Sequence, residues 1–197
     1  MHPIRVTLTT LALLFLSAVA QAQSEYQPAV AGTWYLSGGS AALFESVDGG
    51  DFADSDFLGL SVSGGYFLAD GLLARGTLEW TTETQESGSL ELDETTYTLA
   101  GGLRYYFVQE GLTRPYLGAA VGIGSLDEEL DNGAMGILSD SDTFPLVQGE
   151  LGLELMIARS VGIDLGLLAR QAMSVELFGV EDDLTSLGLI IGISAWL

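Results

Sequence analysis

The chain has no cysteine and no lysine, and its one histidine is His2. Without cysteine there can be no disulfide framework, no thiol nucleophile and no cysteine-based zinc site. The chain contains six arginines and 27 acidic residues, which gives a formal net charge of -21. Because six arginines cannot supply the basic face that nucleic-acid binding requires, we expect no nucleic-acid partner.

The chain is nevertheless rich in apolar residues and glycine. Of its 197 residues, 48% are hydrophobic, only 17% are charged and 26 are glycine, and the mean hydropathy is +0.36. A disordered acidic chain would not contain this much apolar residue. The length suits a single folded domain.

Residues 1–22 have the pattern of a cleaved secretory signal peptide. Arg5 supplies the positive start, residues 6–19 are mostly apolar, and Ala20-Gln21-Ala22 is an A-x-A cleavage motif. An uncleaved anchor is the less favoured alternative, because the apolar stretch is shorter than the ~20 residues that a membrane span needs. Cleavage would leave a short N-terminal segment, residues 23–29, before a domain of residues 30–197, and the mature chain would have no histidine.

From residue 30 onward the hydrophobicity has a period of two, which is typical of β-strands. No later segment reaches 18 uninterrupted apolar residues, so no transmembrane helix is predicted. The pattern predicts eight strands, of which the first is the weakest. They lie around residues 30–44, 58–66, 75–80, 96–107, 116–124, 148–157, 163–170 and 187–197.

The two faces of these strands differ in a way that favours a membrane barrel. One face carries aliphatic residues, glycine and aromatics, and the other carries charged residues, Thr, Ser and Gly. Ten tilted residues rise roughly 25 Å, the height of the apolar band of an outer-membrane barrel. We therefore predict an all-β, eight-stranded antiparallel up-and-down transmembrane β-barrel. A soluble periplasmic barrel is the alternative that does not explain the apolar face. Aromatic residues near the strand ends, among them Tyr35, Phe67, Tyr116 and Phe144, predict two interfacial girdles.

The links between strands alternate between short and long. Residues 68–71, 109–113 and 158–160 are short links, whereas four long polar links hold 20 of the 27 acidic residues and no arginine. Membrane barrels have short periplasmic turns and long external loops. We therefore expect four long acidic external loops, at residues 45–56, 82–94, 126–143 and 171–183.

Seven charged residues fall on the inward face of the predicted strands. Charges inside a narrow lumen must pair, because removing them from water is costly. Glu150 and Glu154 lie about 13 Å apart on one strand, too far for the carboxyl pair of a glycosidase, so we expect both to pair with inward arginines. Some free volume inside the lumen is also expected, because six inward positions have no side chain. These positions are Gly102, Gly118, Gly122, Gly152, Gly188 and Gly192. The predicted ionic network consists of Arg75, Glu79, Arg104, Glu150, Glu154, Asp164 and Arg170.

The signal peptide, the segment Arg114-Pro-Tyr-Leu-Gly-Ala after a short link, and the final strand identify a resemblance. The chain resembles the small eight-stranded outer-membrane β-barrels of Gram-negative bacteria, such as the OmpA barrel domain and OmpX. In that family the barrel-assembly machinery reads an alternating last strand with a terminal aromatic residue. The chain departs from this pattern because its aromatic residue is penultimate. The corresponding residues are Leu187, Leu189, Ile191, Ile193, Trp196 and Leu197.

The resemblance implies a location and a set of partners. We expect a monomer in the cell outer membrane, in contact with outer-membrane lipid and lipopolysaccharide. Outer-membrane enzymes of this size resemble one another in relying on histidine, so we expect no enzymatic activity and no cofactor. The acidic loops could attract divalent cations through their oxygen atoms, but no segment has the twelve-residue calcium-loop pattern, so no metal site is predicted. Two functions remain open: a structural or surface-interaction barrel with a plugged lumen, and a narrow porin-like channel for ions or a small ligand.

Overall fold

The structure, a computed structural model, describes residues 26–46, 56–87, 90–131, 137–177 and 180–197. The predicted signal peptide lies outside these residues and stays a prediction. Eight β-strands account for most of the described chain. They are β1 (Trp34–Ser46), β2 (Asp56–Ala69), β3 (Leu72–Ser87), β4 (Leu90–Tyr106), β5 (Thr113–Asp131), β6 (Ile137–Ala158), β7 (Val161–Leu177) and β8 (Val180–Trp196).

The eight strands form one closed barrel. Each strand pairs antiparallel with the next strand in the chain, and β1 completes the circle by pairing with β8, from Tyr35 opposite Trp196 to Ser46 opposite Thr185. Closure satisfies the backbone groups that an open sheet leaves unpaired at its edges. The predicted all-β antiparallel barrel is therefore confirmed. None of the described residues belongs to a helix long and apolar enough to span a membrane.

Alternation along each strand separates an apolar outer face from a packed interior. In β5, for example, Leu117, Val121 and Ile123 are exposed on the outside, whereas Tyr116 and Gly118 are buried on the inside. An exposed apolar belt of this extent is unfavourable in water and suits lipid. Exposed aromatic side chains lie towards both ends of the belt: Trp34, Tyr66, Tyr105 and Phe107 near the short turns, and Trp80 and Tyr97 nearer the other end.

Three of the four predicted long loops are mostly β-strand. The paired strands continue until only residues 88–89, 132–136 and 178–179 lie between neighbours. At the end of β3 the prediction failed because the extension, Thr-Thr-Glu-Thr-Gln-Glu-Ser, is polar at successive positions. Where both faces meet water, hydrophobicity has no period of two to detect. Most of the remaining predicted loop, residues 45–56, lies outside the described residues.

The first strand starts later than the sequence predicted. We expected it to begin at Val30, but β1 begins at Trp34. Gly32 has a φ of 94°, in the left-handed region that favours glycine. The chain therefore turns at Gly32, just before the barrel wall begins.

Residues 26–33 cross the short-turn end of the barrel, and we call them the N-terminal brace. The Gln27 N–H donates to a carbonyl in the β6–β7 turn at 2.7 Å, and the Ala29 N–H donates to a carbonyl in the β4–β5 turn at 2.9 Å. The Gly71 N–H, in the β2–β3 turn, donates to the Ala29 carbonyl at 2.7 Å. One segment is thus bonded to all three short turns.

Candidate functional site

The barrel interior contains the charged side chains that the sequence analysis singled out. Each occupies an inward position of its strand, and all seven are buried or nearly so. Four strands contribute them: Arg75 and Glu79 from β3, Arg104 from β4, Glu150 and Glu154 from β6, and Asp164 and Arg170 from β7.

Arg104 is at the centre of the ionic network. Its Nε and Nη2 donate to the two carboxylate oxygens of Glu150 at 2.8 and 3.0 Å, and its Nη1 donates to Asp164 at 2.7 Å. The planar fork of a guanidinium matches a carboxylate in this two-bond arrangement. The guanidinium carbon also lies 3.8 Å from the ring centre of Tyr116, whose hydroxyl donates to Asp164. One arginine of β4 is therefore bonded to carboxylates on β6 and β7.

Two further arginines complete the ion pairs. Arg75 contacts Glu150 from the β3 side, so this carboxylate lies between two arginines. Arg170 Nη2 lies 2.8 Å from both carboxylate oxygens of Glu79. Three arginines and three acids are thus paired across the lumen.

Glu154 is held differently from the other three acids. The prediction that it pairs with one of the three inward arginines is wrong. Its Oε1 accepts hydrogen bonds from the Ser194 hydroxyl and from the Trp196 indole N–H, the latter at 2.8 Å. The reason is its place in the register, where its neighbours on either side are Arg114 and Asp164 rather than the three arginines.

Arg114 belongs to the interior, although the sequence analysis placed it at a short turn. Its side chain is fully buried, its guanidinium carbon lies 4.5 Å from the ring centre of Trp196, and its Nη2 donates to the Gln27 carbonyl at 2.6 Å. The sequence contains a signal for this inward position. Arg114 is two residues before the inward Tyr116, and side chains two residues apart on a strand lie on the same face. With Arg114 included, four arginines and four acids lie inside.

An aromatic layer fills the lumen between the ionic network and the short turns. Tyr35, Phe67 and Tyr116 were expected in an outer girdle, but all three face inward and are buried. The Trp196 ring stacks on Phe67 with 4.9 Å between ring centres and meets Tyr106 edge-on at 5.4 Å. The layer consists of Ala29, Tyr35, Phe67, Leu73, Tyr106, Tyr116, Met156 and Trp196.

A second apolar cluster lies inside the barrel towards the end opposite the short turns, where β5, β6 and β7 extend beyond the lipid-facing belt. Phe144, also predicted for a girdle, is buried here, and Leu126 is buried although it was assigned to a loop. Both residues occupy inward positions on the extended strands, and alternation that continues past the lipid belt accounts for this. The cluster consists of Leu126, Phe144, Leu146, Ala172 and Val175.

The inward glycines make room for side chains rather than for free volume. At Gly118 the space of a side chain is taken by Glu150, and at Gly152 it is taken by the ring of Tyr116. The interpretation that these glycines leave the lumen open is therefore wrong at both positions. Glu150 and Tyr116 fit inside the barrel because Gly118 and Gly152, beside them, have no side chain.

One small cavity remains beside the ionic network, with a volume of about 40 Å³. Arg75, Glu79 and Gln148 are among the residues that line it. Within the described part of the chain, the buried Oε1 of Gln148 has no hydrogen-bond partner. A polar space of this size accommodates only a few water molecules, and water is the group that would satisfy the amide oxygen.

Gly152→Ala is expected to destabilise the barrel by about 1–3 kcal/mol, the usual cost of overpacking a filled core. The new methyl group would overlap the Tyr116 ring and lie 2.6 Å from the Leu165 carbonyl oxygen. The control is Gly101→Ala, on the outer face, where a methyl group would meet nothing within 4 Å. Urea unfolding in detergent measures both variants, and equal midpoints would contradict the filled-lumen interpretation.

The final strand presents a regular apolar face to the outside. Leu187, Leu189, Ile191, Ile193 and Leu197 are all exposed, whereas Trp196 is buried in the aromatic layer. The outward position of the last residue, Leu197, agrees with the alternation. The role of this strand in assembly stays a prediction.

The interior offers no open catalytic cleft in the part of the chain that is described. Glu150 and Glu154 are both buried and accept hydrogen bonds from the chain's own side chains. Among the described residues, no group of three or more acidic, histidine or cysteine side chains could hold a metal ion.

Comparison with known proteins agrees with this geometry. Residues 8–189 match the family described as the outer membrane protein beta-barrel domain. No curated protein is significantly similar in sequence. Among solved structures, Ail of Yersinia pestis has 16% identity and a TM-score of 0.61, covering 85% of this chain and 100% of Ail. Neisserial surface protein A has 18% identity and a TM-score of 0.61, covering 83% and 98%. OprG of Pseudomonas aeruginosa has 18% identity and a TM-score of 0.55, covering 87% and 99%. At these identities the likeness concerns the fold alone, whereas the family match covers most of the chain. The protein belongs to the outer-membrane β-barrel domain family.

Proposed function

We propose that this outer-membrane barrel has a structural and surface-interaction role and does not conduct solutes. The observation that carries the proposal is the filled interior. The ionic network, the aromatic layer and the N-terminal brace occupy the lumen in succession, and the cavity beside the network measures only about 40 Å³. Interaction would then take place at the far ends of the hairpins β3–β4, β5–β6 and β7–β8, which we call the outer hairpins, rather than through the lumen.

The charge of the outer hairpins limits the partners that suit this role. The register places Glu83, Glu94, Glu128 and Asp140 directly opposite one another on β3 to β6, and the hairpins contain no arginine or lysine. Such a rim repels polyanions and attracts cations. The structure of Ail has been solved with the heparin analogue sucrose octasulfate, a polyanion. The acidic rim of this chain favours cationic partners instead, and contact with lipopolysaccharide would proceed through bridging divalent cations.

Conductance across a planar lipid bilayer tests the proposal. We expect no steps above those of a bilayer without protein, because no continuous water path passes an ionic layer whose partners lie within hydrogen-bond distance. Insertion is verified in parallel by the gel mobility of the unboiled protein in SDS, since a folded barrel migrates differently before and after boiling. Reproducible conductance steps from inserted protein would overturn the proposal.

A narrow channel is the second candidate, and the small cavity is the observation that favours it. Arg75 and Glu79 both line the cavity and belong to different ion pairs, so rearrangement of their partners would enlarge it. In that case conductance steps should appear, and Glu79→Gln should change their ion selectivity. Absence of steps in the wild-type protein excludes this candidate under the same conditions.

A further inference from the structure

The N-terminal brace binds the barrel mainly through its own backbone. Besides its bonds to the three turns, its Gln27 carbonyl accepts from Arg114 Nη2 at 2.6 Å and its Ala31 N–H donates to the Asp70 carboxylate at 3.1 Å. Arg114 is fully buried, and its Nη1 has no hydrogen-bond partner within the described residues. The barrel thus presents fixed donors and acceptors to an extended segment, much as a peptide groove does.

Two side chains of the brace, Ala29 and Thr33, are buried, and Tyr26 packs against the aromatic layer while partly buried. Ala29 is fully buried in the aromatic layer, whereas Ala31, two residues further on, is exposed. A small residue is therefore required at position 29 and not at position 31. The groove combines backbone recognition with one small apolar pocket.

Closure of the barrel wall does not use the brace. β1 and β8 are paired from Tyr35 to Ser46, and the Trp34 and Leu197 backbones exchange two further hydrogen bonds at 3.0 and 2.9 Å. The brace lies before this ladder in the chain and contributes no residue to it. At its end, Gly32 and Thr33 continue the β1–β2 pairing through two hydrogen bonds with Phe67, at 3.0 and 2.9 Å. Residues 26–31 can therefore leave the turns with every strand pair of the barrel in place.

We propose that residues 26–31 of the brace form a detachable seal. The seal occupies a peptide groove across the short-turn end and leaves it without opening the barrel wall. Its release uncovers Arg114 and the aromatic layer, so the same end exists either as a sealed surface or as a site for an extended peptide with a small residue at the position of Ala29. The occupant of the groove in the resting protein is the chain's own N-terminal segment.

The test compares Ala29→Gln with Ala31→Gln in the full-length mature protein. A glutamine at position 29 is too large for its pocket and places a polar amide among aromatic rings. We expect hydrogen exchange of the brace and of the Gly71 turn to rise about tenfold or more in Ala29→Gln, while the β1 and β8 amides and the unboiled gel mobility stay unchanged. Ala31→Gln should exchange like the wild type.

A synthetic peptide with the sequence of residues 26–31 provides the second measurement. Added to the Ala29→Gln protein, it should restore protection of the Gly71 turn, and the same peptide with glutamine at position 29 should not. Loss of the folded gel form in Ala29→Gln would overturn the proposal, because the brace would then be part of the barrel's stability. Unchanged exchange in Ala29→Gln would overturn the role of Ala29 as the anchor, and failure of the peptide would overturn the groove.

Discussion

Replacing Arg104 with alanine is expected to lower the free energy of unfolding by about 3–5 kcal/mol, the usual cost of removing one partner from a buried ion pair. The substitution would take three charge-assisted hydrogen bonds from two buried carboxylates. Glu150 would retain Arg75, but Asp164 would have no arginine within the network. Urea unfolding of the protein in detergent micelles measures the difference.

The matched control for this variant is Arg159→Ala. Arg159 is exposed in the β6–β7 turn, so the same substitution there should change the free energy of unfolding by less than about 0.5 kcal/mol. A double variant, Arg104→Ala with Asp164→Asn, should recover part of the loss, because it removes the charge that the first change leaves unpaired. Equal unfolding midpoints for Arg104→Ala and the wild type would show that the ionic network does not hold the lumen together.

Replacing Trp196 with alanine is expected to cost a similar amount, about 3–5 kcal/mol, which is typical of truncating a buried tryptophan. The indole contacts rings of β1, β2 and β4, lies beneath the guanidinium of Arg114 and donates to Glu154 of β6. A single residue of the last strand therefore packs against five of the other seven. Its loss would leave a cavity at the point where the barrel closes.

Two variants separate packing from hydrogen bonding at this position. Trp196→Phe keeps an aromatic ring but loses the indole N–H, which should cost about 1–3 kcal/mol because Glu154 loses a buried donor. Trp34→Ala is the control for ring removal as such, since Trp34 is exposed on the lipid-facing side and its ring meets the edge of Tyr66. If Trp34→Ala destabilised the barrel as strongly as Trp196→Ala, the inward packing of Trp196 would not explain its contribution.

The fold could be predicted where lipid on one side and a packed lumen on the other impose different residues on alternate positions. β5 illustrates this: its aliphatic outward residues and small inward residues indicated the strand and its orientation. The same reasoning failed at the end of β3, where both faces are polar, and at residues 30–33, where backbone bonds to distant turns hold the chain. Neither water on both faces nor a backbone contact leaves a periodic signature in the sequence.

The interior could be predicted only in part. Alternation along a strand indicates which charged residues point inward, but it does not indicate which residues they pair with. Arg104 and Glu150 were placed correctly, yet the register alone explains why Glu154 binds Trp196 instead of an arginine. Aromatic residues were ambiguous, since Tyr116 near a strand end suits both a girdle and a packed lumen. Glycine was equally ambiguous: whether Gly152 leaves a void depends on Tyr116 of the neighbouring strand, which a single-strand pattern does not contain.

The position of the N-terminal brace also has a consequence for the order of folding. Gln27 is among the first described residues of the chain, yet its N–H is bonded to the turn that joins β6 to β7. This contact cannot form until those late strands have paired, and contacts between distant parts of a chain are slow to form. The N-terminal brace is therefore synthesised before the barrel strands but docks after they have paired. This docking step distinguishes the finished protein from a barrel whose strands have closed but whose short-turn end is still uncovered.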